Sequence, residues 1–525
     1  MNASIEEAAR LYTARDLPRA ARVCLDIIRD TPNHFDALNL LGAICTRRGQ
    51  HADGVSYLLR AAALHPNDAR LQANLGSAWG TVQRFADAES AYRRAIAFSQ
   101  PEPSLLNNLG LALTGQTRDA EAVGVFRQAL DADPDDLPAR FNLGRAYAAL
   151  GQFTAAEQEF GHVLAGLPPD APGERVMGVV SERARVLLDM GKADEALSGL
   201  EAAIARYPAE DASHRGHASL ILLLLGRFAE GWAAYESRWQ ASNHEAPHQD
   251  CRVLDLRDIA GKRVLVTEEQ GRGDVIQFLR YIPRLAALGA RVALRVYPDL
   301  LPLAKELRDA ETVFAVGDDE PAYDLRASIM SLPLAFGTDL DSIPADTPYL
   351  RVPAARVGIM KHHLGAVSGP RVGLAWSGSA ASWARAAMPI AALEPILRRP
   401  GIAFHALQNT IRPEDRAWLA RAGLARAGLD HARPVVSHDA ELRDFGDTAA
   451  LIESMDLVIS IDTAVAHLAG ALARPVWIML AHNPDWRWLL GRDDSPWYPT
   501  ARLFWQTGWR DWDSVVRQIL AALPF

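Results

Sequence analysis

At 525 residues the chain has room for roughly two to four domains. Hydrophobic residues make up 49% and charged residues 23%, and the net charge of -9 excludes a basic phosphate-binding surface of the kind nucleic acid needs. Cys24, Cys45 and Cys251 are too scattered for a disulfide framework or a zinc site. The opening residues lack the apolar segment of a secretory signal, and the most apolar run, 220–225, is too short to cross a bilayer. A reducing, cytoplasmic setting with no transmembrane segment is therefore expected.

A Leu-Gly pair recurs at Leu41-Gly42, Leu75-Gly76, Leu109-Gly110 and Leu143-Gly144, in steps of about 34 residues. Pro32, Pro66, Pro134 and Pro168 keep the same period, with Pro101 one place off the missing member. Ala20, Ala88, Ala122 and Ala156 hold a second register, and Tyr92, Phe126 and Phe160 a third. This is the period of tetratricopeptide helix pairs, which stack into a superhelix with a concave groove for another chain. Small residues are expected to let the two helices of a repeat approach, with the aromatic filling space against the next repeat. The phase breaks at the turn-rich stretch 167–173 and resumes at Gly191, Ala196, Leu200 and Pro208, so about seven repeats are expected over 1–240. Asn74, Asn108 and Asn142 keep the period on the first helix of their repeats, toward the groove. Amides there can grip an extended peptide by its backbone, or simply bond the neighbouring helix.

From 251 onward the pattern changes to short buried-strand runs separated by helices. Strands are expected at 263–267, 291–296, 371–376, 403–407, 457–460 and 475–480, with a helix over 275–288 and a loop over 337–370. Two lobes result, 251–355 and 370–525, each a parallel sheet wrapped by helices, with ligands beyond the carboxyl ends of the strands. Gly271-Arg272-Gly273-Asp274 leaves the first strand but lacks the third glycine of a dinucleotide fingerprint, so no nicotinamide cofactor is expected. Asp274 reads either as the cap of the following helix or as a general base at a cleft. Ser460-Ile461-Asp462-Thr463-Ala464-Val465-Ala466-His467 is a strand, a tight turn and an alanine-rich helix start, whose free amides suit a diphosphate. Asp462 and Thr463 cap that helix or touch a ligand, and His467 lies about one turn in. Trp376-Ser377-Gly378-Ser379 is a third strand-end turn with hydroxyls and a glycine.

The tail holds Trp477, Trp486, Trp488, Trp497, Trp505, Trp509 and Trp512, which either floor a ligand site or pack back across the lobes. Asp339-Leu340-Asp341 and Asp511-Trp512-Asp513 have the form of metal-binding pairs but follow no clear strand, so both read as surface residues and no metal is expected.

Over 251–525 the chain resembles the heptosyltransferase-like glycosyltransferases, glycosyltransferase family 9. The resemblance is carried by Glu269-Gln270-Gly271-Arg272-Gly273-Asp274-Val275-Ile276-Gln277-Phe278, Gly373-Leu374-Ala375-Trp376-Ser377-Gly378, Leu442-Arg443-Asp444-Phe445-Gly446-Asp447-Thr448, the stretch from Asp456 through His467, and Asp485-Trp486-Arg487-Trp488. It implies a GT-B fold of two Rossmann-like lobes behind the repeat superhelix, an α plus α/β chain. It further implies transfer of a sugar from a nucleotide-sugar co-substrate, probing no other cofactor. Asp274 would be the acceptor-side base; Ser377, Gly378, Gln408, Asp462, Thr463 and His467 would surround the donor. Repeats ahead of such a domain resemble a bacterial subgroup that includes some alphaproteobacterial flagellin glycosyltransferases, which implies a protein Ser/Thr acceptor held in the groove. One departure stands out: Ala386-Ala387 occupy the place of an Arg-Ser pair, which removes a cation and a hydroxyl from the phosphate site. Two rivals follow: a non-catalytic adaptor with a degenerate transferase domain, and an enzyme whose acceptor is a glycan or lipid-linked sugar.

Overall fold

A computed structural model describes residues 4–100, 102–208, 211–240, 251, 253–365, 369–378, 388–425 and 435–524. The chain divides into two compact units, Met1–Gly199 and Leu200–Phe525, with the division inside the helix Ala193–Arg206.

The first unit is a run of antiparallel helix pairs. The periodic prolines end one repeat and stand just ahead of the residue that caps the next. Asp68 follows Pro66 and accepts from the Leu71 amide at 2.8 Å; Asp136 follows Pro134 and accepts from Ala139 at 3.0 Å. The leucine-glycine positions face inward. A Cβ added at Gly76 would meet the Tyr92 ring at 2.5 Å, and Gly110 and Gly144 abut Phe126 and Phe160 in the same way. Each aromatic thus fills space over the glycine of its own repeat, and all three belong to one buried cluster with residues of neighbouring repeats. Only glycine leaves room for a ring to lie against the partner helix. The break at 167–173 precedes the helix Gly173–Asp189, whose 17 residues exceed the 13 of the matching helix Leu137–Ala149 and shift the phase.

The last helical pair expected of the repeat array, Asp211–Leu224 and Phe228–Tyr235, falls in the second unit. The reason is chemical. Trp232 donates its indole N–H to the Thr338 carbonyl at 3.1 Å, and the buried Arg238 forms an ion pair with Glu269 at 2.7 Å. The array expected to end at 240 is therefore divided, its end being built into the sheet domain.

The second unit holds two all-parallel sheets. The first, ordered β3-β2-β1-β4, comprises β1 (Arg263–Thr267), β2 (Arg291–Val296), β3 (Ala310–Ala315) and β4 (Leu325–Ser328). The second, ordered β6-β5-β7-β8-β9, comprises β5 (Arg371–Ala375), β6 (Ala403–Ala406), β7 (Leu457–Ile461), β8 (Val476–Leu480) and β9 (Ala501–Trp505). All six sequence-expected strands are present; β3, β4 and β9 are additions. The expected helix over 275–288 is instead a helix Arg272–Phe278, a 3-10 turn Leu279–Tyr281 and a helix Ile282–Ala287, with Pro283 near the start of the last. The expected loop at 337–370 contains the helix Ala354–Leu364.

Buried polar bonds join the two sheets. Arg280, 3% exposed, leaves the first sheet's helix and donates to the carbonyls of Trp497 at 2.8 Å and Pro344 at 3.1 Å. The Tyr349 amide donates to the Ala471 carbonyl at 3.1 Å, and its hydroxyl to the Ile276 carbonyl at 3.0 Å. Trp486 and Trp497 stack edge-on within a cluster containing Trp232 and Phe278, with Trp232–Trp486 centroids 5.1 Å apart. Trp486, Trp488 and Trp497 are buried, so these three pack the domain together.

Gly110→Ala places a methyl group against the Phe126 ring and is expected to cost about 1–3 kcal/mol in a urea melt followed by circular dichroism. Gly124→Ala, on an open helical surface with nothing within 4 Å, is expected to stabilise by about 0.5–1 kcal/mol.

Candidate functional site

The carboxyl ends of β1 and β7 each lead through a tight turn into a helix, Arg272–Phe278 and Ala464–Ala471. The starts of these helices lie against each other. A Cβ at Gly273 would meet His467 Cδ2 at 2.9 Å and the Ala464 Cα at 3.4 Å. The second glycine of Gly271-Arg272-Gly273-Asp274 therefore serves close approach of the two lobes, not a dinucleotide.

Asp274 is not the helix cap. The cap position is Gly271; Asp274 is three residues in, and its Oδ2 reaches back to accept from the Gly271 amide at 2.7 Å. Glycine has no side chain to close its own helix start, so the carboxylate does it from inside. Asp274 Oδ1 accepts from Arg487 Nη2 across the lobes.

Arg487 organises the site and was quoted in sequence only as part of a motif. Its guanidinium, 6% exposed as a residue, donates from Nε to Gln277 Oε1 at 2.6 Å, from Nη1 to Asp485 Oδ1 at 2.7 Å and from Nη2 to Asp274. It also lies 4.4 Å from the Trp486 ring centroid. Its position between two tryptophans and after an aspartate was the available signal, because a buried arginine needs nearby acceptors.

Asp462 closes the charge cluster. Desolvation, then the neighbouring Asp485 carboxylate, pushes its pKa up to about 7. The indole of Trp488 acts on its charge in the opposite sense, though Trp488 Nε1 makes no hydrogen bond. Desolvation also raises Asp274, against the pull of Arg487. Asp462 Oδ1 lies 3.8 Å from His467 Nε2. His467 itself is buried, shares a hydrogen bond of 2.9 Å between Nδ1 and the Tyr498 hydroxyl, and stacks on Trp488 with centroids 5.5 Å apart. Burial holds its pKa well below the usual imidazole value, so it is neutral.

Thr463 occupies the cap position of Ala464–Ala471 but makes no side-chain capping bond; its hydroxyl meets Ser460 Oγ at 3.1 Å. The helix start is thus left without a side-chain cap, and its amides face the turn. The structure brings Asp274, Asp462, Thr463 and His467 into one neighbourhood.

Ser377 and Gln408 form a second locus at the ends of β5 and β6. Gln408 Oε1 accepts from the amides of Trp376 at 3.1 Å and Ser377 at 3.2 Å, and its Nε2 donates to Ser377 Oγ at 2.7 Å and the Thr410 carbonyl at 3.1 Å. Every polar atom of that amide is spent on fixing the turn that carries Ser377 and Gly378. Ala386-Ala387 lie outside the described residues. Of the two acidic pairs, Asp339 accepts from the amides of Asp341 and Ser342 at 3.1 and 2.9 Å, and Asp511 caps the helix Trp512–Ala522. Both Asp339 and Asp511 are turn-formers by these bonds.

In the other unit, Asn74 Nδ2 donates to Asn39 Oδ1 at 2.8 Å, and Asn142 Nδ2 to Asn107 Oδ1 at 2.9 Å. The ladder bonds successive repeats to each other, as the plainer sequence reading had it. Asn108, half-buried, has no such partner among the described residues. No helix among the described residues is long and apolar enough to cross a membrane.

Comparison with known proteins finds both repeat and sheet segments, and its last repeat match runs across the division near 200. Residues 5–69, 74–136 and 181–247 match one tetratricopeptide repeat family and 113–177 another; residues 442–488 match glycosyltransferase family 9 (heptosyltransferase). Protein FlbA of Caulobacter vibrioides is 31% identical over 369 residues, which are 65% of this chain and 60% of FlbA. The chain therefore spans about 60% of the length of that relative. Among solved structures, MamA is 23% identical, covering 30% of this chain and 93% of its own, with a TM-score of 0.28. A tetratricopeptide repeat protein from Parabacteroides merdae is 18% identical, covering 46% and 92%, with a TM-score of 0.37. The chain thus carries tetratricopeptide repeats followed by an α/β domain whose residues 442–488, which include Asp462, Thr463, His467 and Arg487, match glycosyltransferase family 9.

A carboxyl group whose folded pKa is raised binds its proton more tightly in the folded state. The stability it lends is full below the unfolded pKa of 3.8 and is lost as pH rises to about 7. Asp462→Asn removes that dependence, so the variant is expected to gain stability relative to the native chain across this interval and then hold level. Paired urea melts at stepped pH read the difference directly.

Proposed function

We propose that the protein is a GT-B, inverting glycosyltransferase that moves a sugar from a nucleotide diphosphate donor to a hydroxyl group. The observation that carries this reading is the meeting of Asp274 from one sheet with the uncapped helix start at Thr463 from the other, with Arg487 between them. A diphosphate suits that helix start, because amides and the helix dipole favour negative charge there. Arg487 is the cation at hand, and its contact with Asp274 gives the donor a lever. A phosphate that draws Arg487 toward itself frees Asp274 Oδ1.

The acceptor oxygen then attacks the anomeric carbon while the bond to the diphosphate oxygen breaks and the acceptor proton passes to Asp274. A carboxylate cannot first deprotonate an alcohol, so proton transfer accompanies bond formation. Desolvation of Asp274 favours the role, since it raises the affinity for the proton. His467, neutral and held by Tyr498, offers Nε2 beside Asp462 for a sugar hydroxyl or phosphate oxygen. Ser377 and Gly378, on the turn fixed by Gln408, would meet the nucleotide in this reading. The departing diphosphate is stabilised by amides and Arg487, and no metal takes part. The repeats argue for a protein acceptor, Ser or Thr on an extended segment, a flagellin-like chain being one such substrate, presented to a cytoplasmic enzyme. Asn108 is the ladder member whose amide is spare for peptide backbone.

One observation favours a second reading, a non-catalytic adaptor: both oxygens of Asp274 are engaged, by Gly271 and Arg487.

Incubation of the full chain with nucleotide sugars and candidate polypeptide acceptors tests the proposal. Asp274→Asn is expected to lower transfer by about 10²–10⁴ without altering the circular dichroism spectrum; unchanged transfer removes Asp274 as the base. Arg487→Met is expected to weaken donor affinity and, by leaving two carboxylates unpaired, to destabilise the domain by about 3–5 kcal/mol. No turnover with any donor, together with donor binding in calorimetry, would favour the adaptor.

A further inference from the structure

On the donor-side sheet, away from the residues just described, three potential ligands from distant parts of the chain converge. His363 lies in the last turn of the helix Ala354–Leu364, while His438 and Glu441 sit in the turn that follows the bridge between His405 and Val436. One ligand atom from each of His363, His438 and Glu441 lies within 4.8 Å of the other two. His363 Nε2 is 3.8 Å from Glu441 Oε1, and the rings of His363 and His438 are 5.5 Å apart.

The arrangement around His438 is what distinguishes this cluster from a chance surface group. His438 is 1% exposed. Its Nε2 shares a hydrogen bond of 3.0 Å with His405 Nδ1, and the two rings stack with centroids 5.3 Å apart. Its Nδ1 is buried and has no hydrogen-bond partner. A buried imidazole nitrogen without a partner is costly in free energy unless something binds it. Because Nε2 is engaged by His405, Nδ1 is the nitrogen open to a cation, and the bond to His405 fixes the ring as a neighbouring hydrogen bond fixes a metal-bound histidine.

We propose that His363, His438 and Glu441 form a binding site for a divalent transition-metal cation of the zinc type, with His438 Nδ1 and the Glu441 carboxylate among its ligands and His405 as the positioning residue. Two imidazoles and one carboxylate are the donor set that zinc accepts with a water in the fourth place. A tetrahedral zinc centre holds its ligand atoms about 3.4 Å apart, from bonds of about 2.0–2.2 Å. Closing the cluster to that spacing takes about an ångström, which the partly exposed side chains of His363 and Glu441 supply by rotation (43% and 37% exposed). The consequence is mechanical. The helix Ala354–Leu364, which runs between the two sheets in the chain, is already held near its start by Arg356, which pairs with Asp444 and with Asp447 at 2.8 Å. A cation at His363 ties the far end of the same helix to the same segment. The site takes no part in the proposed transfer, so its test stands apart from that reading.

Full-length protein, freed of any tag and of metal by chelator dialysis, is titrated with zinc chloride alone in a calorimeter and with cobalt chloride in a spectrophotometer. One zinc per chain with a dissociation constant of about 10 µM or below is expected, together with a cobalt visible band of four-coordinate intensity. His363→Ala and Glu441→Gln, both at partly exposed side chains that keep the chelated fold, are each expected to weaken zinc by at least about tenfold. His405→Ala is expected to weaken it less while preserving the stoichiometry. The absence of zinc binding up to about 1 mM, or binding unchanged in the His363→Ala/Glu441→Gln double variant with a native melt in chelator, overturns the proposal.

Discussion

One guanidinium, shared among acids that would otherwise repel one another in a dry crevice, is the constraint on which the sheet domain turns. Arg487 reaches Asp274 on one lobe and Asp485 on its own, while Asp462 stands close enough for its charge to matter. Burial penalises the charges of Asp274, Asp462 and Arg487, and the arginine opposes that penalty at both carboxylates without cancelling it. Asp462, which it does not touch, takes up the imbalance by holding its proton toward neutrality. The crevice thus contains two carboxyl groups with raised proton affinity and a cation able to change partners. A phosphate-bearing ligand would meet all three at once.

That charge cluster needs the lobes in register, and the packing beneath supplies it. Gly273 lets two helix starts touch, Arg280 satisfies carbonyls on the far side, and the rings of Trp232, Phe278, Trp486 and Trp497 fill the space behind. The helix that carries Trp232 comes from the tail of the repeat pattern. Its recruitment into the sheet domain explains why the division of the chain falls near 200 rather than at the end of the repeats. An aromatic that finds a carbonyl partner in Thr338 has more to gain there than on the open end of a seventh helix pair.

The repeats were the most legible part of the sequence, since a fixed period ties residue type to position and needs no long-range information. The strands at 263–267, 291–296, 371–375, 403–406, 457–461 and 476–480 were legible for a related reason: mostly buried, they read as short, largely apolar runs. β3 was not, because its first residues are exposed. β4, with an arginine and a serine among its four residues, gave no apolar run.

Sequence by itself determined the helical repeats, the parallel sheets and the strand-end turns that carry Asp274, Ser377 and Asp462, because each follows from local periodicity and from which residues tolerate a tight turn. Only the tertiary structure decided which side chains meet. It gave Asp274 an arginine from the other lobe, turned Gln408 into a clamp on its own turn, paired the asparagines with one another, and brought His363 to His438 and Glu441. Those outcomes depend on how buried charges and amides find partners across long separations in the chain, and no local pattern encodes that choice.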